Sequence, residues 1–209
     1  MSKLRILDLR PCQFVLGMRE VEYRISKMKQ LSKSMLQDYL SERAIPTVKG
    51  PKGEYFIIDH HHLARACWEL EIKDYSVRVM EDMSDMGEME FWNKMIKLDW
   101  TYLHDQFGLG PHNPAQLPAD IRCLADDPYR SLVWEIIKAE GIQKEQIPFF
   151  EFKWGAFFRH NIPGRLSSKS NFSDAIEAAS ALARTRHADH LPGFIGKGKK
   201  DKKGSKKKN

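Results

Sequence analysis

The stretch Asp59-His60-His61-His62-Leu63-Ala64-Arg65-Ala66 concentrates groups that can handle phosphate. It follows an apolar run, Tyr55 to Ile58, that reads as a strand. It precedes Leu63, Ala66, Cys67 and Leu70, whose three- and four-residue steps read as a helix. The backbone N–H groups of such a first helical turn have no acceptor within the helix, and the helix dipole favours an anion there. His60, His61, His62 and Arg65 would add charge or hydrogen bonds to a bound phosphate. The simpler use of the same residues is an ordinary turn with Asp59 as N-cap.

A second set of groups lies upstream. Gly17 lets the backbone turn, and Arg19 and Glu20 come just before a long apolar-periodic run. Glu20 suits a general base or an organiser of a phosphate site, and Arg19 an anion contact. A helix N-terminus also favours an acid at Glu20 for electrostatic reasons alone, and Arg19 also suits the surface. With Asp59 and His61, Glu20 makes a candidate catalytic set for phosphoryl transfer or phosphodiester hydrolysis. One carboxylate would position or deprotonate the attacking hydroxyl or water, the other would hold Mg²⁺, and a histidine would stabilise charge on the phosphoryl group. ATP or another nucleoside triphosphate would then be the co-substrate.

These groups need a scaffold. Leu4 to Leu9 reads as a first strand and Val21 to Arg43 as one helix. Ile45 to Val48 and Tyr55 to Asp59 read as a hairpin around Gly50 to Gly53, His61 to Leu70 as a helix, and Ile72 to Met80 as a strand. The expected organisation is a small α+β domain over residues 1–82, a mainly helical region over 83–192, and a disordered Lys-rich tail over 193–209. Helices are expected from Met86 to Tyr102, Pro118 to Ala125, Pro128 to Ala139, Pro148 to Phe158 and Phe172 to Ala188, the last capped by Ser173. The loop Phe107 to Pro118 carries His104, Asp105 and His112 around it, a conceivable metal set whose spacing specifies nothing. The rings of Phe149, Phe150, Phe152, Trp154, Phe157 and Phe158 could stack on bases, but their density suits core packing. Arg184, Arg186, His187 and His190 crowd the end of the last helix, where dipole and phosphate contact explain them equally well.

Composition narrows the setting. The chain has 209 residues, 42% of them apolar, and a net charge of +6. The segment from Lys197 to Asn209 alone holds eight lysines and one aspartate, so the remainder is close to neutral. Such a tail attracts polyanions without sequence preference, or simply solubilises. Cys12, Cys67 and Cys123 are far apart and support neither a disulfide framework nor a zinc site, and Cys67 suits the core. No apolar run reaches membrane-spanning length. The expectation is a cytoplasmic protein.

Taken together, the residues resemble the ParB/sulfiredoxin superfamily and, within it, the ParB-like nucleases. Three blocks carry the resemblance: the Asp59–Ala66 stretch, Asp126-Asp127-Pro128-Tyr129-Arg130-Ser131-Leu132, and Phe149-Phe150-Glu151-Phe152-Lys153-Trp154-Gly155-Ala156-Phe157-Phe158-Arg159. The relatives carry a Gly/Glu/Arg or Gly/Cys/His/Arg turn at the same strand–helix junction and hold nucleotide phosphates with it. The resemblance implies nucleotide or nucleic-acid phosphate binding, with nuclease or ATP-type phosphotransfer activity. Its alternative is a non-catalytic, nucleotide-dependent DNA- or protein-binding module like the partition proteins. His60 and His61 stand where sulfiredoxin has its catalytic cysteine, which argues against sulfinate reduction. No helix-turn-helix with a basic recognition helix is evident, which argues against partition-type DNA reading.

Overall fold

The computed structural model describes residues 2–164, 166 and 168–196. The Lys197–Asn209 tail lies outside them. The chain divides into two compact units, the first ending at Asp127 and the second starting at Pro128.

The first unit is built on a five-stranded mixed sheet. In chain order its elements are β1 (Ser2–Arg5), β2 (Leu9–Pro11), β3 (Val15–Leu16), α1 (Met18–Lys29), α2 (Lys33–Ser41), β4 (Ile45–Lys49), β5 (Tyr55–Ile57), α3 (His61–Glu69), β6 (Asp74–Asp82), α4 (Glu88–Lys97) and β7 (Ala125–Asp126). The sheet runs β1-β6-β4-β5-β2, and β3 pairs separately with β7. β4 and β5 form the expected antiparallel hairpin, with Val48 opposite Phe56. β4 and β6 are parallel, β2 and β5 are parallel, and β1 and β6 are antiparallel.

Side-chain alternation along a strand separates two cores. Ile57 joins Leu9, Val21, Met28, Leu63, Cys67, Tyr75 and Val77, a cluster that holds α1 and α3 against the sheet. Its neighbour Phe56 joins Cys12, Val48, Met83, Phe91 and Met95, which seats α4. This second core ties α4 to the first unit, while Ile121 and Leu124 in the first core and the β3–β7 pairing tie in the residues that follow, so the first unit ends at Asp127.

Four expected elements take a different form. The Leu4–Leu9 strand is two strands in different places in the sheet, separated by a 3₁₀ turn at Ile6–Asp8. The Val21–Arg43 helix is two, because the Ser32 hydroxyl accepts the Met35 N–H at 3.3 Å and starts a new helix. Pro118–Ala125 contains only a 3₁₀ turn, Ile121–Cys123. The helix expected to reach Tyr102 stops at Lys97, where Asp99 turns left-handed.

The second unit packs α5 (Pro128–Lys138), α6 (Phe150–Asn161) and α7 (Lys169–Leu182). α7 is capped by Ser168, whose hydroxyl accepts the Asn171 N–H at 3.1 Å, and not by Ser173. Phe150, Trp154 and Phe158 are buried with Leu132, Val133, Ile136, Phe172 and Ala179. The Trp154 indole N–H donates to the Pro192 carbonyl at 2.8 Å. These three rings are core. Among the described residues, no helix is long and apolar enough to cross a membrane.

Candidate phosphate-binding site

The junction between β5 and α3 is shaped by His60. It adopts a left-handed conformation (φ 66°, ψ 24°) and is the N-cap of α3, so the plain-turn alternative with Asp59 as N-cap does not hold. The first helical bond runs from the Ala64 N–H to the His60 carbonyl at 2.9 Å. No side chain caps this end. Asp59 accepts the His60 N–H at 2.6 Å through Oδ1, and its carboxylate is largely exposed.

The two following histidines face inward. His61 is 4% exposed, and its Nε2 accepts the Cys12 N–H at 3.3 Å. Burial pushes its pKa down to about 4, against the nearby Asp59 charge, so the ring is neutral at neutral pH. His62 Nε2 accepts the Gly17 N–H at 3.0 Å. An acceptor nitrogen carries no proton, so this bond assigns the neutral Nδ1–H tautomer. In this arrangement the rings pin the 12–17 segment to α3.

Positive charge reaches the same end from two other elements. Burial lowers the His60 pKa, and Arg24 of α1 and Arg78 of β6 lower it further against the opposing Asp59 charge. His60 Nδ1 is buried without a hydrogen-bond partner. Arg24 in turn holds Glu20: its Nε and Nη2 lie 3.1 and 2.7 Å from Glu20 Oε1. Glu20 is 6% exposed in the first turn of α1, and its Oε2 lies 3.7 Å from His62 Nε2. Burial works against the Arg24 charge, but Glu20 and Tyr39 outweigh it and raise its pKa.

Glu20, Arg24, His62, His60 and Arg78 therefore form one connected neighbourhood. The two carboxylates of the expected catalytic set point differently: Glu20 inward to Arg24 and His62, Asp59 toward solvent beside His60. Arg19 lies toward Asp126, whose Oδ1 accepts the Met18 N–H at 2.9 Å and so caps α1 from β7. Arg65 is a tether. Its Nε donates to Glu69 at 2.9 Å, and its Nη1 donates to the Arg122 carbonyl at 3.2 Å. Sequence reasoning passed over Arg24 and Arg78. Arg24 carried one usable signal, its place one helical turn after Glu20. Arg78 carried none, because only the sheet brings it to the junction.

Two other chemistries are limited by the geometry. Burial pushes the Cys67 thiol up to about 12, so it is no thiolate at neutral pH. Among the described residues, no group of three His, Cys, Asp or Glu is arranged to hold a metal. His112 Nε2 instead lies 3.1 Å from Asp105 Oδ2, while His104 stacks near Tyr102.

Comparison with known proteins agrees with this architecture. The family model described as "Putative ParB-like nuclease" matches residues 2–160. The crystal structure of protein Atu1540 from Agrobacterium tumefaciens is similar with a TM-score of 0.85 and 36% identity, covering 93% of this chain and 97% of that one. No curated protein matches. With three quarters of its length matched by the family model, on the fold and junction described above, the chain belongs to the ParB-like nuclease family.

Proposed function

We propose that the N-terminus of α3 binds a phosphate group of a nucleotide or nucleic acid, and that the bound group undergoes phosphodiester hydrolysis or phosphoryl transfer. The observation that carries this reading is the left-handed His60 at a helix start that no side chain caps, its buried Nδ1 without a hydrogen-bond partner, with Arg24 and Arg78 near enough to lower its pKa. Helix dipole, backbone donors and guanidinium groups all favour an anion at that place.

Glu20 is the general base of this mechanism. Arg24 orients its carboxylate through Oε1, and the carboxylate takes a proton from an attacking water or hydroxyl. Arg78 and Arg24 stabilise charge on the transferring group. His61 and His62 act through position, holding the segment that leads into α1. Asp59, whose carboxylate is largely exposed and bonded to the His60 N–H through Oδ1, fits a hard cation shared with phosphate oxygens. Mg²⁺ held there would neutralise phosphate charge. Free thiols at Cys12, Cys67 and Cys123 suit a cytoplasmic setting.

The test is an incubation series. Purified protein with Mg²⁺ meets ATP, CTP, single-stranded DNA and duplex DNA separately, with phosphate release and strand cleavage followed in time. Turnover of one of these, lost in Glu20→Gln, is the expected result. Arg78→Ala, an exposed position, weakens substrate binding by about ten-fold, as loss of a charge-assisted contact does. Binding without turnover would replace the enzyme reading with a nucleotide-dependent binding module. No binding by the wild type would reject the site.

A further inference from the structure

A cavity lies at the opposite end of α3 from the candidate phosphate site. The helix ends in a left-handed turn at Glu71 (φ 57°), with the Ile72 N–H bonded back to the Cys67 carbonyl at 3.0 Å and the Glu71 N–H to the Trp68 carbonyl at 2.9 Å. This turn places Trp68, Glu71, Ile72 and Lys73 around one half-open hollow of about 520 Å³, lined on the other side by Ile6 and Leu7. The volume is that of a small-molecule site.

The lining has a definite chemistry. Its floor is apolar, from Ile6, Leu7 and Ile72, and its wall is the half-buried Trp68 indole, with the Arg65 guanidinium 5.1 Å from the ring centroid. Two charged pairs stand at the rim. Arg5 and Asp8 neutralise each other, with Arg5 Nε 2.8 Å from Asp8 Oδ2. Glu71 and Lys73, two residues apart and both exposed, bring an acceptor and a donor to the same cavity.

We propose that this cavity binds a guanine base. A planar ring stacks on an indole whatever its identity, so Trp68 supplies affinity and the rim supplies choice. The Glu71 carboxylate accepts the two neighbouring N–H donors of guanine, at N1 and the 2-amino group. The Lys73 ammonium donates to O6 and N7, the acceptor pair that lysine reads in guanine elsewhere. Adenine has no 2-amino group and carries a donor at position 6, so it presents the wrong group to each residue. An anion site in this place would need positive charge in excess, and the rim instead balances two acids, Asp8 and Glu71, with two bases, Arg5 and Lys73.

Guanosine tests the cavity independently of the phosphate site, because it carries no phosphate. Titration of the full chain, followed by calorimetry and by Trp indole resonances, gives saturable guanosine binding and at least about ten-fold weaker adenosine binding. Glu71→Gln and Lys73→Met, both at exposed positions, erase that preference, and Trp68→Leu weakens both nucleosides. A short oligothymidylate with one central deoxyguanosine, compared with the same oligomer lacking it, shows whether the base arrives in nucleic acid or free. Equal affinity for guanosine and adenosine, unchanged guanosine binding in Glu71→Gln, or no saturable binding to the wild type overturns the proposal.

Discussion

The Nε2 atom of His62 accepts the Gly17 N–H at 3.0 Å, so one imidazole joins the first turn of α3 to the residue that starts α1. Both partners are buried. Glu20, three residues beyond Gly17, thereby stands in a fixed place relative to the helix end where the phosphate is proposed to sit. The bond is made by a side chain whose type suggests catalysis, and it serves geometry.

Removing that acceptor leaves a buried N–H unsatisfied. His62→Ala is expected to destabilise the protein by about 1–3 kcal/mol, the cost of an orphaned buried donor. His62→Gln, whose amide oxygen can accept the same N–H, should recover part of the loss. Urea unfolding of the three proteins decides this. Equal midpoints for His62→Ala and wild type would show that the bond contributes nothing.

His61 makes stability depend on acid. Its folded pKa is held at about 4 by burial, below the ordinary 6.5. Between those values the unfolded chain takes up a proton that the folded chain refuses, so stability is full above about 6.5 and falls as the pH drops toward 4. The expected slope from this one group is about 1.4 kcal/mol per pH unit inside that window. His61→Gln should flatten the dependence. A wild-type profile that is flat from pH 7 to 4.5 (roughly the window's span) would contradict it.

The tail should dominate non-specific attraction to DNA. Eight lysines between Lys197 and Asn209 can release several counterions on binding, with log affinity falling against log salt by about 0.7–0.9 for each phosphate neutralised. Truncation after Gly196 is expected to reduce that slope and leave any turnover intact. A slope that survives truncation would locate the contacts in the folded units.

Three helices end the same way, with an acidic residue in a left-handed turn: Glu71 after α3, Asp99 after α4 and Glu140 after α5. At Asp99 the Trp100 N–H returns to the Met95 carbonyl at 3.0 Å, the pattern that glycine fits best. An acid there also opposes the helix dipole. Asp99→Gly should therefore stabilise the protein by up to about 1 kcal/mol, the left-handed cost of a side chain less glycine's greater loss of chain freedom on folding, read as a rise in melting temperature. An unchanged or lowered melting temperature would mean that Asp99 holds a contact worth more than the strain.

Much of this molecule is local and so legible in the chain alone. The alternation through Tyr55–Ile58, the helical steps from Leu63 to Leu70 and the turn chemistry of Gly50–Gly53 each depend on neighbours close in sequence, and they locate the strand–helix junction and the α+β class. Asp127 and Pro128 likewise announce α5. What the chain alone withheld depends on distance through space. The split at Ser32 is an exception, since its cap is a local bond to the Met35 N–H that the smooth periodicity across Gln30 and Leu31 masks. Val48, Phe56, Phe91 and Met95 are an unremarkable set until the fold packs them together and extends the first unit to Asp127. The histidines carry the sharpest lesson. Their type announces chemistry, but an imidazole can donate or accept, and only the burial of His61 and His62 against the Cys12 and Gly17 N–H groups makes both acceptors. Arg24 and Arg78 gather at His60 because α1, β6 and the β5–α3 junction converge there, a proximity that no spacing along the chain encodes.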